Sequence, residues 1–122
     1  MSMVVSSVLG MNVLINSTTV DGAFIIHVHG ELDVYTAPQL KEAISEGISG
    51  GHRTIVIDLT RVGFLDSTAL GVLVGGRRGA HEEGGDVILV VDSPNLEKMF
   101  RITGFEAMFG IHRTIDEALA AV

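Results

Sequence analysis

The sequence predicts an α/β sandwich: a mixed, mainly parallel sheet with an N-terminal antiparallel hairpin and about four helices. Three observations predict it. The short apolar runs IVIDL from Ile55 and VILVV from Val87 have the length of strands buried on both faces. Segments of helical spacing alternate with them, most opened by a capping residue and closed by glycine. The chain has 122 residues, 47% of them hydrophobic, which suits one domain with a full core.

Each element follows in order. The first ten residues, MSMVVSSVLG, are mildly apolar and lack Lys and Arg, so residues 1–10 read as a flexible tail without the basic start of a secretory signal. The domain is placed at 11–122, with Met11 an alternative start. NVLINST from Asn12 and AFIIHVHG from Ala23 read as strands around an Asp21-Gly22 turn. Phe24, Ile26 and Val28 would share one face, and Ile25, His27 and His29 the other. A helix opens at TAPQL, with Thr36 and Gln39 as a capping box and Tyr35 stapled on Leu40. It keeps its spacing through Ile48 and ends at Gly50-Gly51. TIVIDL from Thr54 is the first buried strand, followed by a helix from Ser67 to about Glu83. DVILVV from Asp86 is the next strand, and Ser93-Pro94 opens a helix that Gly104 stops. A short strand near MFGIH leads to a last helix, TIDEALAAV, with Thr114 and Glu117 as a second capping box. Repeated βα units of this kind call for a parallel sheet.

Composition excludes several classes. Eight Lys and Arg against 15 Asp and Glu give a formal charge of -7, which repels nucleic acid and anionic membrane. Aromatic residues are 5% and Trp is absent, so there is no stacking platform for single strands. The apolar runs are too short to span a bilayer. Without cysteine there is neither a disulfide nor a cysteine-ligated zinc, as suits an intracellular protein. No Gly-rich nucleotide motif is present.

The candidate chemistry centres on FLDSTALGVLVGG, from Phe64. Ser67 stands at a strand-to-helix junction, where free N–H groups and the helix dipole favour an anion. A nucleophile, a phosphate acceptor and a plain cap by Asp66 or Ser67 all fit there, although a nucleophile elbow would need G-x-S-x-G. Ser67, Gly71 and Gly75 fall four apart, with Gly79 drifting to the side, and form a stripe of small residues. That stripe admits another backbone, either an internal neighbour or a partner protein. Asp33, Asp58 and Asp66 lie where strands end, as in a magnesium site or a receiver-like phospho-acceptor. His27 and His29 share a strand face but lack a third ligand at a recognisable spacing, so no metal is assigned.

Taken together, GELDVYTAP, FLDSTALGVLVGG, RITGF and TIDEALAA resemble the bacterial anti-sigma-factor antagonists, which are single STAS domains. The resemblance runs in order from about Asn12 to Val122. It implies a cytoplasmic protein switch, not an enzyme, that needs no cofactor. The unphosphorylated antagonist binds an anti-sigma factor, which frees a sigma factor for transcription. The anti-sigma factor is a serine kinase of the histidine-kinase-like ATPase type, and a PP2C-type phosphatase reverses its mark. The phosphorylated residue carries over to Ser67, with Asp33 and Asp66 beside it. Many members have a second serine where this chain has Thr68, so Thr68 offers a second hydroxyl. With Gly71 and Gly75, these residues make up the expected partner surface. The alternative is a small receiver-like or serine-dependent enzyme using Asp58 and Ser67.

Overall fold

The computed structural model describes the backbone of residues 2–8 and 11–122, and side chains from residue 13 onward. Six strands form one sheet in the order in which they occur in the chain: β1 (Ser2–Val8), β2 (Met11–Val20), β3 (Ala23–Leu32), β4 (Thr54–Leu65), β5 (Asp86–Val90) and β6 (Gly110–His112). Four helices connect or follow them: α1 (Ala37–Ser49), α2 (Ser67–Glu82), α3 (Pro94–Ile102) and α4 (Ile115–Ala120). A 3-10 turn, Phe105–Ala107, sits between α3 and β6. β1, β2 and β3 pair antiparallel, and β3 to β6 pair parallel. This is the expected α/β sandwich.

The expected tail is different in the structure. Met1, Leu9 and Gly10 lie outside the described residues, but Ser2–Val8 pair with β2 as an edge strand. The segment SMVVSSV is rich in β-branched valine, and the outer edge of β2 would otherwise present an unpaired row of backbone groups.

The hairpin forms at the expected place. Asp21 and Gly22 both have positive φ, 52° and 84°, the backbone that a two-residue turn needs to match the twist of its strands. Phe24, Ile26 and Val28 then point into the main core with Val13 and Ile15 of β2. β4 is longer than TIVIDL suggests. Between the pairs His27–Asp58 and Leu32–Leu65, β3 advances five residues and β4 seven, so β4 bulges twice. The bulges explain its burial pattern: Ile55, Ile57 and Leu59 alternate, and then Val62 and Leu65 keep the core face at wider spacing. Period-2 reasoning ends the strand too early for that reason.

α1, α2 and α3 cover one face, where Leu40, Ile44, Leu70, Leu73, Leu96 and Phe100 join the strands in the main core. α4 packs alone on the other face, with Ala118 against Ile25, Val56, Ile88 and Val90. Among the described residues, no other helix packs on that face along β2, β3 and β4. No described helix is long and apolar enough to cross a membrane.

α1 approaches the sheet closely at Gly47, where an added Cβ would lie 2.6 Å from the Phe24 ring. Alanine is otherwise preferred to glycine in a helix by about 0.5–1 kcal/mol. Overpacking a core costs about 1–3 kcal/mol, so packing outweighs propensity at this site. Gly47→Ala is therefore expected to lower the urea midpoint. An unchanged or higher midpoint would mean that α1 does not sit this close to β3.

Candidate functional site

The site lies where β3 and β4 end side by side. Leu32 and Leu65 are register partners, and the Asp66 N–H donates to the Leu32 carbonyl at 3.0 Å. This hydrogen bond brings the turn after β3 and the start of α2 together. Asp33 and Asp66 therefore come to one end of the sheet, as the sequence suggests.

The two aspartates do structural work there. The Asp33 Oδ1 accepts from the N–H groups of Tyr35 and Thr36 at 2.9 and 3.1 Å, and the Asp33 carbonyl accepts from the Ala37 N–H at 2.8 Å. Thr36 is buried, and its hydroxyl donates to the Glu31 carbonyl at 2.7 Å while accepting from the Asp33 N–H at 2.9 Å. Its side chain is thus turned into the loop and caps nothing, which corrects the capping box expected with Gln39. Tyr35, expected to staple on Leu40, is 64% exposed, whereas Leu40 is buried in the core. The local competition is decided by Asp33, whose carboxylate folds the turn on itself.

At α2 the cap is Asp66. Its backbone is extended, and its Oδ1 accepts from the Ala69 N–H at 3.0 Å. Ser67 is the first helical residue, exposed, and its hydroxyl has no partner among the described residues. Thr68 is exposed as well. The hydroxyl of Ser67 therefore stands at the positive end of a 16-residue helix with no structural duty. The second expected capping box forms in half at α4: Thr114 caps the helix by accepting from the Glu117 N–H, and Glu117 accepts from the N–H of Arg113 in place of that of Thr114.

The glycine stripe divides between two uses. At Gly71 and Gly75 an added Cβ would meet nothing within 4 Å, so this strip of α2 is open. At Gly76 it would lie 3.0 Å from two carbons of Ile44, and at Gly79 it would lie 3.4 Å from Ile48. Gly76 therefore serves the packing of α2 on α1. Between the two helices runs an apolar groove of about 300 Å³, lined by Ile44, Ile48, Gly71, Val72, Gly75 and Gly76 among others. Sequence reasoning missed three residues at this end of the molecule: Val34, Tyr35 and Phe64 are 55%, 64% and 51% exposed. Phe64 is exposed because the second bulge of β4 turns it off the core face, a feature that residue spacing alone does not reveal.

Asp58 does not join this site. It lies within β4, not at its end, and faces the side of the sheet that carries α4. Its Oδ1 accepts from the Thr60 N–H and hydroxyl at 3.0 and 2.7 Å, and its Oδ2 lies 3.3 Å from His27 Nδ1. The other ring nitrogen, Nε2, lies 3.2 Å from the Thr18 hydroxyl. Asp58 and Ser67 sit on opposite faces, so the two do not meet in one site. His27 and His29 do share a face beside Arg61, and among the described residues no three metal-binding side chains gather.

With this geometry, three comparisons converge. The STAS domain model matches residues 15–118. An anti-sigma-B factor antagonist of Staphylococcus aureus is 33% identical over 102 residues, covering 84% of this chain and 94% of the relative. The crystal structure of an anti-sigma factor antagonist from Mycobacterium paratuberculosis superposes with a TM-score of 0.83 at 32% identity, covering 90% of this chain and 93% of that one. The Bacillus cell fate determinant SpoIIAA in its phosphorylated form is similar at a TM-score of 0.68 and 28% identity, covering 88% of this chain and 97% of that one.

The cap assignment separates neighbouring residues in a stability measurement. Asp66→Ala should lose about 1 kcal/mol, whereas Ser67→Ala should be close to neutral. Gly75→Ala should gain up to about 1 kcal/mol, and Gly76→Ala should lose stability by crowding Ile44. Equal effects within either pair, read from urea melts, would contradict the placement of α2.

Proposed function

The chain belongs to the STAS domain family of anti-sigma-factor antagonists, and from that premise we propose a partner switch controlled at Ser67. Unphosphorylated, the protein binds an anti-sigma factor and frees the sigma factor it holds. The anti-sigma factor is itself the kinase, of the histidine-kinase-like ATPase type. It phosphorylates Ser67 and so ends its own capture, and a PP2C-type phosphatase restores binding.

One observation carries this reading: the Ser67 hydroxyl is exposed and relieved of capping by Asp66, at the head of a strip where Gly71 and Gly75 leave room for a partner backbone. Asp33 and Asp66 hold the two segments that frame the acceptor. Thr68 follows at about 100° around the helix, so a kinase gripping the Ser67 side is offered one hydroxyl. Phosphoserine adds roughly -1.5 to -2 charge at a helix end that tolerates an anion, so the fold is kept while the surface changes. Against a partner carboxylate at ~4 Å, with an effective dielectric near 20, the repulsion is about 4 kcal/mol per unit pair. Half of that weakens binding roughly thirtyfold.

The test pairs binding with localisation of the phosphate. Ser67→Ala should fold, bind the kinase as the unmodified protein does and accept no phosphate, whereas Ser67→Asp should bind more weakly. Fragmentation spectra of the protein treated with kinase and ATP should place the added group on Ser67. A phosphate found on Thr68, or a folded Ser67→Ala variant that no longer binds, would sink the switch in this form.

A further inference from the structure

Beyond its open glycines, α2 carries Arg77 and Arg78, with Glu82 one turn further on. At 100° per residue, Val74 and Arg78 each fall within about 20° of Ser67 around the axis, and Arg78 lies about 16 Å along the helix from it. Arg78 is exposed and has no ion pair or hydrogen bond among the described residues. Beside it, the Arg77 Nε is buried without a hydrogen-bond partner, 4.0 Å from the Asp86 carboxylate. His81 takes that carboxylate more closely, at 2.8 Å. A groove of about 400 Å³ opens at this point, lined by Val74, Arg77, Arg78, His81, Glu82 and Met108. Met108 is one of the exposed large hydrophobic residues. Arg77-Arg78 is the only adjacent basic pair in a chain of formal charge -7.

We propose that this second half of α2 is a separate docking point for the anti-sigma-factor kinase, occupied by an acidic segment of it. A carboxylate of the partner meets Arg78, and a neighbouring apolar side chain lies against Val74 and Met108. The inference rests on the antagonist reading above. Charge complementarity selects the occupant: a surface of net negative charge repels an acidic segment elsewhere, and here an unpaired guanidinium sits beside apolar surface. The distance keeps the two ends of α2 independent. At about 16 Å, twice the Debye length in physiological salt, Arg78 does not neutralise a phosphate on Ser67. Arg78 thus sets register and affinity, while Ser67 sets the state of the switch.

The test uses the full chain, its purified kinase and two variants with the same change in net charge. Arg78→Glu reverses the charge in the groove. Arg53→Glu does so just before β4, at a residue that lines a different groove, with Asp21 and Leu119. Arg78→Glu should weaken kinase binding about tenfold or more at low salt and recover part of the loss as salt rises, with Arg53→Glu within about twofold of the unaltered protein. In phosphorylation of Ser67, Arg78→Glu should raise KM and leave kcat nearly unchanged. Binding by Arg78→Glu equal to that of the unaltered protein, or equal losses in both variants, would overturn the docking point alone. An unaltered protein that does not bind the kinase would overturn the antagonist reading and this inference with it.

Discussion

The hydrogen bond from the Asp66 N–H to the Leu32 carbonyl is the constraint on which the site depends. It closes the end of the β3–β4 ladder after two bulges have let β4 run longer than its neighbour. Had β4 paired regularly from Asp58, Leu65 would lie two residues past Leu32, and Asp66 would not meet the Leu32 carbonyl. The bond also fixes Asp66 in the extended backbone from which its carboxylate reaches the Ala69 N–H. Capping falls to the aspartate for that geometric reason, and the serine beside it is left at the surface.

The same helix has to serve two neighbours of different kinds. Its inner side needs Gly76 so that Ile44 of α1 can come close, and its outer side carries Gly71 and Gly75 with open space above them. Glycine weakens a helix interior by about 1 kcal/mol per residue relative to alanine. Internal packing answers for Gly76, and Gly79 touches Ile48, but nothing within the described residues answers for Gly71 and Gly75. Two unrecovered costs on one exposed strip, in line with an exposed hydroxyl, are the physical signature of a surface shaped for something outside the domain.

Much of this was legible in the residues. Strand-sized apolar runs, the Asp21-Gly22 turn and the capping positions gave the order of elements, because each depends on local chemistry. The end of β4 was not legible, since bulges break the alternation by which a strand is recognised, and with it went the correct place of Asp58 and the exposure of Phe64. Thr36 misled for a related reason: a threonine before a helix is a good cap only if no nearer carboxylate claims the same turn, and Asp33 does. The stripe from Ser67 to Gly75 was visible as spacing, but which glycines face α1 and which face outward depends on where α1 lies, a tertiary fact. The first residues show no alternation strong enough to announce β1 before the edge of β2 is there to receive it.

Sheet order that matches chain order has a kinetic meaning. From β3 onward each new strand adds to the edge left by the one before it, so no strand has to be inserted between two that are already paired. Loop closures stay short for a parallel sheet, which favours rapid assembly from the β3–α1–β4 unit outward. The last pieces added are a three-residue strand and a six-residue helix, the smallest in the domain. Fraying from that end opens β6 and α4 first, far in the folding order from the β3–β4 junction. The surface around Ser67 is therefore borne by the long parallel pair β3–β4 and not by the short elements at the edge of the sheet.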